Sequence, residues 1–363
     1  MNICLIGNGL SSLVLAKVLI EKNIRVSLLF ESKKANTLAT RSIGISKKNY
    51  DYFNKEISNI HKISWPINNI EIFKENNLEK KILNFKNENR QLFFMIKYND
   101  LYNLINSKLK KNKKFKIIKK KNILYNDIIK NYNFDIIINS DSKNIIYKEF
   151  FFKKILKDYK STAFTTIIKH QRIKNDIATQ IFTDLGPLAF LPISNSETSV
   201  VFSILQNKNR FDEKDIKNLI FKYNKKYKIK SFLNFEKFNL KYLNLRKYVY
   251  KNILSFGDSI HKVHPLAGQG FNMTLRDIKT LLDLIQDRLE LGLPLDSFIL
   301  KKFESITKHK NYIFSSGIDF IYEFFKFENK YGNEYSNKIL TSLGRNKFFN
   351  KYASKLADSG LNF

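Results

Sequence analysis

The stretch ICLIGNGLSSLVLAKVLIEKNIRVSLLFE, Ile3–Glu31, decides the fold. An apolar run ends at Gly7, a helix-length segment spans Ser11 to Lys22, and a second apolar run occupies Arg25 to Phe30. Strand, glycine turn, helix and strand in that order make a βαβ unit, the seed of a parallel sheet. Within Gly7-Asn8-Gly9-Leu10-Ser11-Ser12, the first glycine permits a tight turn and the second lets an anion approach the helix N-terminus. Ser12 is the third small residue, compatible with close helix–strand packing. Glu31 lies 24 residues beyond Gly7, at the strand tip where a carboxylate accepts ribose hydroxyls. The spacing predicts a dinucleotide whose ribose lacks a 2′-phosphate, as in FAD or NAD.

A second cradle stands about 250 residues later, in GDSIHKVHPLAGQGFNMTLRD, Gly257–Asp277. A short strand, Leu254–Phe256, leads into a turn bearing histidines and glycines and then into an amphipathic helix, Phe271–Leu289. Helix N-termini present bare N–H groups to bound anions and electron-rich rings. The residues Gly257-Asp258, His261, His264-Pro265-Leu266-Ala267-Gly268-Gln269-Gly270-Phe271-Asn272 and Asp277 resemble the pattern of the ubiquinone-biosynthesis hydroxylase family of FAD-dependent aromatic monooxygenases. ATRSIGIS around Arg41 and FTDLGPLAFLPI, Phe182–Ile193, are also similar to that family, so the resemblance covers essentially the whole chain.

The resemblance implies a Rossmann-like FAD-binding domain of the p-hydroxybenzoate hydroxylase type, interleaved with an antiparallel-sheet substrate domain and C-terminal helices. It implies that Gly7, Gly9 and Ser12 hold the FAD pyrophosphate and Glu31 the adenosine ribose. Arg41 reaches the flavin or pyrophosphate from a second helix, and Asp258 bonds the ribityl chain. Pro265, Gly268, Gln269, Gly270, Phe271 and Asn272 surround the isoalloxazine. His264, Pro265 and Gln269 form the candidate catalytic set, with His261 and His264 orienting the turn and the solvent on the flavin side. These histidines are three apart without a supporting Cys or acidic set, so no metal site is expected.

The implied activity is ring hydroxylation of a polyprenylated phenol or quinol in ubiquinone biosynthesis. NAD(P)H would reduce FAD, O2 would add at flavin C4a, and the hydroperoxide would transfer OH to the ring. The cofactor then carries the chemistry, and no catalytic triad is needed. The substrate cavity is expected near Phe182–Pro192. Three departures stand out: Asp141-Ser142 where relatives carry Asp-Gly, Thr274 where they carry glycine, and Tyr98 where they usually carry arginine. Ser142 bears on use of the pyridine nucleotide. Two other readings remain open, an FAD-dependent hydroxylase or reductase of a small soluble aromatic, and a non-catalytic FAD-binding subunit of a quinone-biosynthesis complex.

The order of elements divides the chain into an FAD unit (1–62, 95–160 and 250–300), a sheet unit (63–94 and 161–249) and a C-terminal helical segment (301–363). Ala39–Phe53 reads as a turn and helix, and Tyr98–Lys110 and Asp212–Lys225 as helices. With 363 residues, 43% of them hydrophobic, the chain can bury a sizeable core. The apolar run Leu13–Ile20 is too short to span a membrane, and a strand starting at Ile3 leaves no signal peptide. Cys4 is the one cysteine, excludes an intrachain disulfide and reads as packing. A cytoplasmic location is expected. The net charge of +31 would favour anions, yet lysines are spread along the chain with only local runs such as Lys119–Lys121. Nucleic acid is therefore not expected as a partner. A solvated surface is the plain reading of the surplus and attraction to an anionic membrane face its best functional use, and the aromatic, basic stretch Asn311–Lys330 serves either a membrane or partner contact or packing on the FAD unit.

Overall fold

The computed structural model describes residues 1–31, 40–76, 78–79, 81–86, 91–206 and 211–331. The first apolar run forms β1 (Asn2–Ile6), which turns at Gly7 into α1 (Leu10–Glu21) and returns as β2 (Arg25–Phe30), parallel to β1 with Cys4 opposite Ser27. α1 is buried nearly all round because the sheet flanks it on one side and later helices on the others. Next come β3 (Ser42–Ser46), α2 (Lys47–Tyr52) and one π-helical turn, Phe53–Ile57. The expected turn and helix over Ala39–Phe53 is thus corrected. Ile43 and Ile45, β-branched and two apart, are both buried in a strand, and helix begins only at Lys47. Its first residue, Ala39, lies outside the described residues.

β4 (Ser64–Ile67), β5 (Asn69–Lys74), β6 (Leu83–Lys86) and β7 (Phe93–Lys97) follow, then α3 (Tyr98–Lys110), which buries Leu101, Ile105 and Leu109 at four-residue spacing. β8 (Phe115–Lys119), α4 (Tyr125–Asn131), β9 (Ile136–Asn139) and α5 (Ile145–Phe150) complete the first half. The long β10 (Lys154–His170) opens a run of strands, β11 (Ile177–Thr183), β12 (Gly186–Pro192) and β13 (Glu197–Leu205). α6 (Glu213–Tyr223) starts at a reciprocal Asp212–Asp215 cap and leads to β14 (Ile229–Phe232) and β15 (Glu236–Leu245). The chain then returns through β16 (Val249–Tyr250), β17 (Ile253–Ser255) and β18 (His261–Lys262) to α7 (Gln269–Glu290) and α8 (Ser297–Tyr331).

Three sheets result. One has the order β16-β17-β9-β1-β2-β8 and is parallel from β17 to β8. A nine-stranded sheet runs β18-β15-β10-β13-β12-β11-β5-β6, with β14 also on β10. β3-β7-β4 form a small sheet between them. The strands of 63–94 do not form one antiparallel unit: β4 joins the small sheet, and β5 lies parallel to β11 in the large one. β18 carries the late segment into the large sheet, and α8 runs unbroken across the expected boundary at 300. Positions 332–363 of the expected C-terminal segment lie outside the described residues.

One face of the large sheet packs Leu188, Phe190 and Phe202 on Ile216 and Ile220 of α6. The opposite face packs Ala163 and Phe182 against Phe314, Ile318, Tyr322 and Phe325 of α8. The N-terminal half of α8 puts Ile299, Leu300 and Phe303 into the core of the parallel sheet. Within the expected contact or packing stretch, Phe314, Ile318, Tyr322 and Phe325 pack on the large sheet, whereas the packing alternative places them on the FAD unit.

Candidate functional site

β9 lies between β1 and β17, so the early and late turns emerge at the same end of the parallel sheet, one strand apart. Gly7 has φ +107°, and a Cβ there would sit 2.9 Å from Ser140 Oγ and 3.1 Å from Asp141 Cβ. Gly257, at φ +62°, meets the first helix directly, since a Cβ would fall 3.1 Å from Ser11 Cβ and Oγ. Two segments separated by most of the chain thus share one wall.

The shape of that wall fits an extended anionic ligand. Gly9 caps α1 without any side-chain hydrogen bond, and a Cβ there would meet nothing within 4 Å. The same holds for Gly270 in the first turn of α7, which has no acidic residue and no side-chain cap. Both helix starts thus lack a capping side chain on the cap residue and have open space beside their glycines, although Leu10 N–H of α1 is taken by Tyr98. Gly268, the α7 cap, has φ +62° and lies so close to β3 that a Cβ would be 3.5 Å from Gly44 N and Cα. Glu31 directly follows β2, at the sheet end where Gly7 N–H donates to Leu29 O. Asp258 is exposed on the one-turn 3-10 helix Gly257–Ser259.

Several expected cofactor residues turn out to be committed elsewhere. The Ser12 hydroxyl is buried and lies 2.5 Å from Ser140 Oγ, tying α1 to the end of β9. Ser12 thus serves helix–strand packing, and its hydroxyl is not free for pyrophosphate. Asn272 is buried too. Its Oδ1 accepts from Ser46 N–H and Asn49 Nδ2, and its Nδ2 donates to the carbonyls of Gly44 and Gly268. It holds β3, α2 and the glycine turn together, in place of the cofactor contact expected of it. Arg41 sits ahead of β3 and on no helix, with its guanidinium 5.5 Å from the Tyr98 ring centre. Tyr98 in turn receives Leu10 N–H, the first residue of α1, and burial raises its phenol above the usual range. Phe271 is half-buried against the core of the parallel sheet, and Gln269 is buried at the α7 start.

The two histidines divide in role. His261 Nε2 lies 2.8 Å from Asp277 Oδ2, and Asn311 Nδ2 donates to Asp277 Oδ1, so this group fastens β18 to α7 and α8. His261 positions the turn from within the protein and does not face solvent. His264, 1% exposed, has no hydrogen-bond partner at either ring nitrogen among the described residues. It stacks on Tyr322 at 4.1 Å between centroids and meets Tyr159 edge-on at 5.3 Å. Burial pushes its pKa down to about 3, so the ring is neutral and can both donate and accept. Pro265 leads the one-turn helix Leu266–Gly268. Lys262 Nζ donates to Ser142 Oγ at 3.4 Å, a cation beside the departure from the Asp-Gly pattern.

The expected cavity lining is also corrected in part. Alternation sends Leu188 and Phe190 to the α6 face, and Phe182 is covered by Phe325 at 3.8 Å. Residues that sequence reading missed are Asn49, Tyr159, Tyr322 and Asn311. Each lies far along the chain from its partner, and no motif spacing marks it.

Residues 133–290 match the family model described as FAD binding domain. A 79-residue stretch, 22% of this chain, is 37% identical to the mitochondrial ubiquinone biosynthesis monooxygenase COQ6 of Dictyostelium discoideum and spans 16% of it. Another of 155 residues, 40% of this chain, is 30% identical to the 3-demethoxyubiquinol 3-hydroxylase of Escherichia coli (strain K12) and spans 39% of it. The matched stretches thus cover well under half of these curated relatives. The fold is similar to that of p-nitrophenol 4-monooxygenase PnpA from Pseudomonas putida DLL-E4, with TM-score 0.75, 11% identity and 98% of each chain covered. It is equally similar to an HpxO variant from Klebsiella pneumoniae complexed with FAD, with TM-score 0.75 and 11% identity over 98% of this chain and 99% of that one. With the late glycine turn packed on the first helix, an FAD-binding segment over residues 133–290 and these partial matches, the chain is similar to FAD-dependent monooxygenases and hydroxylases.

Proposed function

We propose that this protein is a flavoprotein monooxygenase that hydroxylates the ring of a polyprenylated phenol or quinol in ubiquinone biosynthesis, using NAD(P)H and O2. The observation that carries the reading is the contact of the two cradles, Gly257 on Ser11, with Gly268 set against Gly44 of β3 and open space beside Gly9 and Gly270. Bound FAD supplies O2 activation for the ring hydroxylation once a pyridine nucleotide has reduced it. In this reading the first-turn N–H groups of α1 beyond Leu10 hold pyrophosphate, Glu31 the adenosine ribose and Asp258 the ribityl chain. Arg41 approaches the pyrophosphate over Tyr98. The N-terminus of the 22-residue α7 stabilises negative charge at the flavin ring, because its peptide dipoles sum to roughly half a positive charge there. Pro265 and Gln269 border the ring, and neutral His264, buried between Tyr159 and Tyr322, supports the turn behind it.

A tailed substrate would reside in a membrane, and the outer face of α8 supports a peripheral contact. Phe320 is 69% exposed and Phe327 64% exposed, with Ile313 and Ile321 also outward. No helix among the described residues is long and apolar enough to cross a membrane. Changing Phe320 and Phe327 together to serine should lower binding to anionic lipid vesicles severalfold while leaving flavin content unchanged, and unaltered binding refutes the contact. The function itself is tested by NAD(P)H oxidation dependent on a prenylphenol, with one oxygen from 18O2 recovered in the product. Ser142, where relatives carry glycine, favours a second reading, an FAD-binding subunit without its own turnover. Flavin-bearing protein that never oxidises NAD(P)H would support it.

A further inference from the structure

The α8-facing side of the large sheet can be read row by row from its register. Thr165 pairs Val201, Val201 pairs Ala189, Ala189 pairs Gln180 and Gln180 pairs Ile72. Directly paired residues share a face, so these five form one row across five strands. On one side of it lie Ala163 and Phe182, packed under α8, and on the other Ile167 and Ala178, packed against Ile67 and Met95. The row between is different. Val201, Ala189, Gln180 and Ile72 are each only half-buried, whereas Ala163, Phe182, Ile167 and Ala178 beside them are buried. Its inner end, Thr165, is covered by Thr40, with the hydroxyls 3.4 Å apart. From Thr40 the chain passes into β3 and so to Gly44, the backbone that faces Gly268. The outer end, Ile72, stands on β5 near the sheet edge.

The row is thus a half-buried strip leading from the neighbourhood of the late glycine turn toward the sheet edge, apolar apart from Thr165 and Gln180. None of its five residues is charged, and one, Gln180, carries an amide for which no partner is found among the described residues. A half-buried amide beside apolar walls gains most from a ligand that brings its own hydroxyl or carbonyl.

We propose that Gln180 is the specificity-determining residue of the substrate ring, hydrogen-bonding the hydroxyl of a neutral phenol that lies along the row with its apolar substituent leaving past Ile72. The assignment rests on the hydroxylase reading above and adds the group that selects the ring. The five residues of the row offer a ring carboxylate no charged partner, which disfavours its burial there.

The test uses purified holoprotein and three probes: 2-allylphenol, its methyl ether and 4-hydroxybenzoate. Binding is followed by the flavin difference spectrum and independently by fluorescence of Trp65, the one tryptophan, which packs beside the row on the Ile67–Met95 cluster. Wild type should bind the phenol ~10–100-fold more tightly than the ether, and 4-hydroxybenzoate weakly. Gln180→Met should erase the phenol preference at unchanged flavin content, and Gln180→Glu, which keeps an acceptor, should retain it. A Gln180→Met protein with the wild-type preference, or a wild type without one, overturns the proposal. Colourless protein whose Trp65 titration still shows the preference would sink the flavin reading and leave this one standing.

Discussion

Adding a methyl group at Gly257 or a larger side chain at Gly270 should have opposite effects on the fold, because the two glycines are needed for different reasons. Gly257 is left-handed, and its Cβ would press on Ser11. Gly257→Ala should lower stability by about 1–2 kcal/mol or more in urea unfolding and weaken FAD binding with it. Gly270 lies in the first turn of α7 with open space before it. Gly270→Leu should leave apoprotein stability unchanged or raised by up to about 1 kcal/mol, while FAD affinity drops ~10-fold or more. A Gly270→Leu protein that binds FAD normally would remove the α7 start from the site. His264 gives a pH signature. Its folded pKa is depressed to about 3, against about 6.5 when unfolded, so the unfolded chain binds more protons at mild acidity. The neutral ring's contribution is fully present above pH 6.5 and is lost as pH falls, by about 2 kcal/mol at pH 5. His264→Phe should flatten that slope between pH 7 and 5 in thermal melts, and an unchanged slope would contradict the buried neutral ring. At this scale the glycines were legible in the sequence, because a tight turn or close approach leaves few alternatives. The partners of the Ser12 hydroxyl and the Asn272 amide were not legible, because such a group advertises a hydrogen bond without naming its partner.

Among the elements, α8 bears two loads. Its first half closes the core of the parallel sheet and its second half lies on the large sheet, with Asn311 bonded to Asp277 between them. Phe325→Ala, which uncovers Phe182, should cost about 3 kcal/mol and raise hydrogen exchange in the last turns of α8. Exchange confined to wild-type levels would show that this end of the helix is not held by that stack. Long amphipathic helices such as α3 and α7 were legible within a residue or two, since Leu101, Ile105 and Leu109 repeat at helical spacing over enough turns to be unambiguous. β3 was not. Ser42–Ser46 is short, and its strand state comes from pairing with β7, a neighbour some fifty residues away that local pattern cannot supply.

For the whole molecule, the interleaving was legible because the two cradles could serve one ligand only if the chain left the nucleotide fold and came back. What sequence could not give was the join: β3, β7 and β4 as a separate small sheet, and β18 carrying the late turn into the large one. Those contacts bring Gly44 against Gly268 and make the flavin wall continuous with the sheet face. The surplus of positive charge acts at this scale too, drawing anionic ligands and surfaces toward the protein without defining a site. Every functional role assigned to these residues depends on one ligand spanning both turns. The most direct measurement is the visible spectrum of the folded, purified protein with flavin released on denaturation. The account predicts yellow protein holding about one FAD per chain, whereas folded protein that stays colourless and takes up no added FAD would contradict it.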